Sequence, residues 1–201
     1  MRKIPVFISS KQEELREERV AVAEVMSRLD TLEPVMAENW FPQRGNVHNL
    51  YLEEVLRCPI FLGLFWKAYS EPTHREYKAA IGNDQTEILL YLKSCPDQSR
   101  DARLLDLIGE FSGDVRAAKF TTVDDLKKAV PDHLLAAVVR MVTRLHHSTE
   151  TTRSSNNRSE QLLYDWGLGE YRPGEVLELL RESQIELGCL LGAGAAGGPG
   201  D

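Results

Sequence analysis

The stretch from Pro59 to Ile81, PIFLGLFWKAYSEPTHREYKAAI, leaves this chain few folding options. Ile60 to Trp66 is an apolar run without a charge. So short a run, rich in Ile, Leu and Phe, reads as a strand covered on both faces. Such strands belong in parallel sheets sandwiched between helices. A polar turn follows, Tyr69-Ser70-Glu71-Pro72. Thr73 and Glu76 then stand three apart, with Tyr77, Ala80 and Ile81 behind them at helical spacing, which is the pattern of a capping box. The segment predicts strand, loop and helix. In an open α/β sheet that loop lies at the carboxyl edge, where ligands bind. Glu76 is expected in the first helical turn, facing that edge beside Trp66 and Tyr69.

The remaining chain repeats the alternation. Ile4–Ile8 predicts a first strand, followed by Ser10 and Glu13 as a second capping signature. Leu15, Val22, Val25, Met26 and Leu29 then share one helical face, and EELREER is the solvated one. Leu32–Ala37 predicts a strand, placed at an edge by Pro34. ENWFPQRGNV is a loop, and Tyr51 to Leu56 a short helix ending at Cys58-Pro59. Glu87–Lys93 predicts a further buried strand, Leu104 to Phe111 a helix, and Ala117–Thr121 a last strand. A final helix starts at Thr122, is expected to break or kink at Pro131, and resumes to His147. Five strands alternating with five helices imply βαβ units. The fold class is α/β, a flavodoxin-like parallel sheet with Ile60–Phe65 central between Ile4–Ile8 and Glu87–Lys93. Residues 1–147 form this domain and 148–159 a polar linker. Residues 160–192 are expected as a helical tail that packs on the domain or on a second copy. Residues 193–201 read as a flexible glycine-rich end.

Charge and cysteines narrow the function. The net charge of −7 speaks against nucleic acid and, more weakly, against anionic membranes. Three widely spaced cysteines fit neither a disulfide framework nor a zinc site, which points to a reducing, cytoplasmic setting. No stretch approaches the ~18 apolar residues of a membrane span. No metal site is expected: His146 and His147 are adjacent and do not share a helix face.

Three pieces, KIPVFISSKQEELREERVAVAEVM, YLEEVLRCPIFLGLFWKAYS and THREYKAA, resemble in order and spacing the TIR-like domain of unknown function that opens many signalling proteins carrying NACHT or related ATPase modules. KFTTVDDLKKAV resembles the segment closing that domain, so the likeness spans residues 3 to 147. The family is similar to Toll/interleukin-1 receptor domains. The resemblance implies a flavodoxin-like sheet, a role in signalling of the innate-immunity kind, and self-assembly or a signalling partner. In enzymatic TIR domains a glutamate early in the helix after the central strand acts in cleaving NAD, and Glu76 holds the matching place. NAD is then a substrate, and no cofactor is implied. The family often shows Thr-Glu-x-Glu at this helix start, where this chain has Thr73-His74-Arg75-Glu76.

Each candidate residue has a plainer reading beside the functional one. Glu76 is either a catalytic carboxylate or the acid of the capping box. Ser9 and Ser10 either donate to a bound ribose or phosphate, or Ser10 caps the next helix. Trp40, with Phe41, either stacks on a ligand ring or packs at an interface. Glu38 faces the same cleft or solvent. Trp66 and Tyr69 hold a ligand ring or pack in the core. Two functions follow: an NAD(P) glycohydrolase that binds a nucleotide, or a non-catalytic module for protein–protein contacts. They divide on whether Trp66, Tyr69 and Glu76 share one cavity.

Overall fold

The computed structural model describes residues 3–36, 47–114 and 116–151, together with 165 and 175. Its sheet has five strands: β1 (Ile4–Ser10), β2 (Leu32–Val35), β3 (Ile60–Phe65), β4 (Glu87–Lys93) and β5 (Ala118–Phe120). The helices are α1 (Arg16–Ser27), α2 (Val47–Arg57), α3 (Glu71–Ile81), α4 (Ala102–Asp114) and α5 (Val123–Thr151). The strand order is β2-β1-β3-β4-β5, and every pairing is parallel. This is the flavodoxin-like order. β3 is central between β1 and β4, as its uninterrupted apolar run predicts.

Strand alternation sorts the core into two layers. Ile4, Val6 and Ile8 of β1, Ile60, Leu62 and Leu64 of β3, and Leu89 and Tyr91 of β4 form one cluster with α1 and α5. Phe7, Phe61, Phe65, Leu90 and Leu92 point the other way and pack with Val55 of α2, Tyr77 of α3, and Leu104 and Phe111 of α4. All six residues of β3 are buried. Gly63 sits at a crowded point of its face. A Cβ there would lie 2.8 Å from the Phe65 ring and 3.1 Å from both Leu90 and Phe61.

Pro34 is accommodated because β2 is an edge strand, paired among the described residues with β1 alone. Three expectations need correction. β1 runs on through Ser10, so Ser10 does not cap α1, which begins at Arg16 behind Leu15 with no side-chain cap. Glu13 therefore has no capping box to complete. α5 continues unbroken through Pro131 and past His147 to Thr151. A proline removes one helical hydrogen bond. Here Leu126, Val130, Leu134, Ala137, Val138, Met141 and Val142 anchor the helix to the sheet on both sides of it. The expected linker and tail lie outside the described residues beyond Thr151, apart from 165 and 175. Among the described residues no helix is long and apolar enough to cross a membrane.

Two measurements test this packing. Gly63→Val should lower stability by about 1–3 kcal/mol, the range for overpacking a filled core, in urea denaturation. Cys58 is buried between β3 and α2, and burial pushes its thiol up to about 12, with Glu54 and Glu33 adding to the effect. Between the ordinary thiol range and about pH 12 the unfolded chain ionises this thiol and the folded one does not, so its contribution to stability is lost as pH rises. At pH 8, mass mapping should find half-buried Cys95 alkylated in the native protein well before Cys58. Equal rates would overturn the placement of Cys58.

Candidate functional site

Successive residues at the carboxyl end of β1 face opposite layers, and that alternation builds the site. Ser9 shares the face of Phe7 and so points toward α3, whereas Ser10 shares the face of Ile8 and points toward α1. Both serines are buried. The Ser9 hydroxyl donates to the Glu76 carboxylate at 2.5 Å. Ser10 Oγ accepts from the Arg19 guanidinium at 3.1 Å. Arg19 is itself buried, and also donates to the Ile8 carbonyl at 3.2 Å.

Glu76 is not the acid of a capping box. α3 starts earlier than the Thr-x-x-Glu pattern suggests, with Pro72 in its first turn and Ser70 as N-cap. Ser70 Oγ accepts from the Thr73 N–H at 3.4 Å and from the Thr73 hydroxyl at 3.0 Å. Proline is favoured at a helix start because its missing N–H costs nothing there. Glu76 thus lies one turn further in, and its side chain reaches across to β1. Sequence spacing alone does not separate the two starts, since Ser70 and Thr73 are also three apart.

A cavity of about 410 Å³ opens between the end of β1, the following loop, α2 and the start of α3. Ser10, Lys11, Arg19, Tyr51, Thr73 and Glu76 are among its lining residues. The volume lies in the range of small-ligand sites. Arg19, Tyr51 and Lys11 do not emerge from motif reading. Arg19 has one legible signal: it interrupts the apolar stripe of Leu15, Val22 and Met26 at helical spacing.

Trp66 and Tyr69 go elsewhere. Trp66 continues the alternation of β3 and packs against the α1/α5 layer, on the side of the sheet opposite to Glu76. Two ammonium groups already stand on its ring, Lys93 Nζ at 4.2 Å and Lys67 Nζ at 4.3 Å from the centroid. Lys93 is paired with buried Glu18 at 2.5 Å. The Tyr69 hydroxyl donates to Glu71 at 2.7 Å and meets His74 Nδ1 at 2.8 Å, with the Arg103 guanidinium 4.4 Å from its ring centre. The hydrogen bond to Glu71 holds the phenol above its ordinary range, and the same bond holds the Glu71 carboxyl below its own. Neither aromatic lines the cavity of Glu76. Glu38 and Trp40 lie outside the described residues.

Side chains also fasten the loops of this edge together. Glu14 accepts from the backbone N–H groups of Lys67 at 3.1 Å and Ala68 at 3.0 Å. Arg100 donates to the carbonyls of Trp66 and Lys93, bridging the ends of β3 and β4. Glu14 and Arg100 thus hold the loop after β3 from two sides.

A family model, the Domain of unknown function DUF4062, matches residues 5–135. The chain belongs to the DUF4062 family. The matched region runs from β1 into α5 and contains Ser9, Ser10, Arg19 and Glu76. No curated protein matches the chain. Among the described residues no group of three or more His, Cys, Asp or Glu is placed to hold a metal ion.

The two helix-start readings separate by mutation. Ser70→Ala should cost about 1 kcal/mol, as loss of an N-cap does. Glu76→Gln should cost less than about 1 kcal/mol, because the amide oxygen still accepts from Ser9. Urea denaturation of both variants checks the order, and a larger loss for Glu76→Gln would reverse the assignment.

Proposed function

We propose that this protein is a TIR-like signalling effector that cleaves NAD(P) at the nicotinamide–ribose bond when assembled. The observation that carries this reading is Glu76: a carboxylate released from helix capping, held by Ser9, and lining a cavity of about 410 Å³ at the carboxyl edge of a flavodoxin-like sheet. Open α/β sheets bind their ligands at that edge. The likeness of the motif pieces to TIR-like domains, described above, supplies the substrate class.

The chemistry asks little of the protein beyond charge and position. Departure of nicotinamide leaves an oxocarbenium-like ribose. The nicotinamide departs as a neutral molecule, so no acid has to protonate it, and water then adds to the ribose carbon and releases a proton. An ionised Glu76 accepts from ribose hydroxyls and places negative charge near the developing cation. His74 in place of a second acid is compatible with this scheme, because only one carboxylate acts. Lys11, in the same cavity, offers a cation to the pyrophosphate.

A second reading, a non-catalytic module for self-assembly or for a signalling partner, draws on Trp66 and Tyr69. Both are engaged away from the cavity, so Trp66, Tyr69 and Glu76 do not share one cavity; that separation favours this second reading, and the enzyme reading rests on Glu76 without either aromatic to stack on nicotinamide. Incubation of the purified protein with NAD, with and without a crowding agent to drive assembly, separates the two. The enzyme reading expects slow release of nicotinamide with ADP-ribose or its cyclic form. Glu76→Gln should reduce the rate about a hundredfold, the scale of one preorganised electrostatic group. Turnover unaffected by Glu76→Gln, or none under any condition of assembly, leaves the interaction module.

A further inference from the structure

The sheet stops short at its far edge. β4 runs from Glu87 to Lys93, but β5 pairs only with Tyr91, Leu92 and Lys93. Glu87 to Leu90 therefore have no strand outside them among the described residues. The Glu87 N–H donates inward to the Pro59 carbonyl at 2.8 Å, before β3. In a parallel ladder the N–H and C=O of one residue face the same neighbour, and consecutive residues alternate. Ile88 thus turns both its backbone groups to the outer edge, where β5 begins too late to meet them.

A cavity of about 560 Å³ lies along this gap, between the edge of β4 and helix α5. Its walls combine apolar Ile88, Leu90 and Ala136 with Arg116, His133 and Arg140. Glu87 is the one acid among the lining residues described. It is met by Arg140 at 2.8 Å and by Arg144 as well, so two guanidiniums stand against one carboxylate. Arg116 adds a further exposed cation. The gap is locally basic on a chain whose net charge is −7.

We propose that this gap is a docking site for an extended acidic peptide segment of a partner protein, which adds a short strand beside Ile88 and sets its carboxylates against Arg116 and Arg140. The backbone edge favours a peptide, which alone brings the matching N–H and C=O groups. The surplus of guanidinium favours acidic side chains. Apolar Ile88 and Leu90 take the alternate residues of the added strand. The site is on the opposite end of the sheet from β2 and is independent of the cavity at Glu76.

The test titrates the ¹⁵N-labelled 201-residue chain with a capped hexapeptide, Glu-Val-Glu-Thr-Glu-Val. Controls are the same peptide with Lys for Glu, and two versions in which alternate sets of its amides are N-methylated. The acidic peptide is expected to shift the Ile88 and Leu90 amide resonances, to lose affinity with added salt, and to bind when one set of amides is methylated but not the other. Arg116→Glu should weaken it about tenfold, as a like-charge contact does, with an unchanged melting temperature. Absence of binding, equal binding of the lysine peptide, binding indifferent to both methylation patterns, or shifts confined to residues around Glu76 would each overturn the proposal.

Discussion

The rest of the structure depends on the burial of β3 on both faces. Each large apolar side chain fully removed from water contributes about 1.5–3 kcal/mol, and β3 commits residues alternately to two separate clusters. One cluster requires α1 and α5, the other α2, α3 and α4. A strand so placed cannot be an edge, and its neighbours β1 and β4 inherit nearly the same two-sided cover. At Gly63 the arrangement leaves no room for a Cβ, because the Phe65, Phe61 and Leu90 side chains already fill the space that a larger residue would need.

The same alternation decides what meets at the carboxyl edge. A one-residue step along a strand reverses the face of the sheet. Ser9 and Ser10, adjacent in the chain, thus serve different layers: one meets Glu76 of α3, the other Arg19 of α1. Trp66 follows Phe65 and so joins the layer opposite to Glu76. Proximity in the loop between β3 and α3 suggests a common cavity for Trp66 and Glu76, and the pleat of the strand sends them apart.

Charge is buried around this edge in hydrogen-bonded form. Arg19, Glu18 and Arg100 each have a named partner, and two of the three end on strand carbonyls. Burying a charge is costly unless it is paired and hydrogen-bonded. Here the pairing ties together loops that come from distant parts of the sequence: Glu18 with Lys93, Glu14 with residues 67 and 68. These contacts brace the carboxyl edge of the sheet on the side of α1, β3 and β4.

How far the sequence reaches can be read residue by residue. The apolar runs of β1, β3 and β4 determined the strands, their burial and the central place of β3, because two-sided burial leaves a continuous apolar signature. Pro34 determined an edge, because proline has no N–H for a second neighbour. The chemistry of turns was less legible: Ser70 and Thr73, or Thr73 and Glu76, satisfy the same capping spacing, and Pro72 tips the start toward Ser70. Only the tertiary structure brought Ser9 to Glu76 across 67 residues, put Arg19 under Ser10, turned Trp66 to the far layer and kept α5 whole through Pro131. Each of those outcomes depends on which element lies across from which, and local pattern carries no information about a neighbour that is distant in the chain.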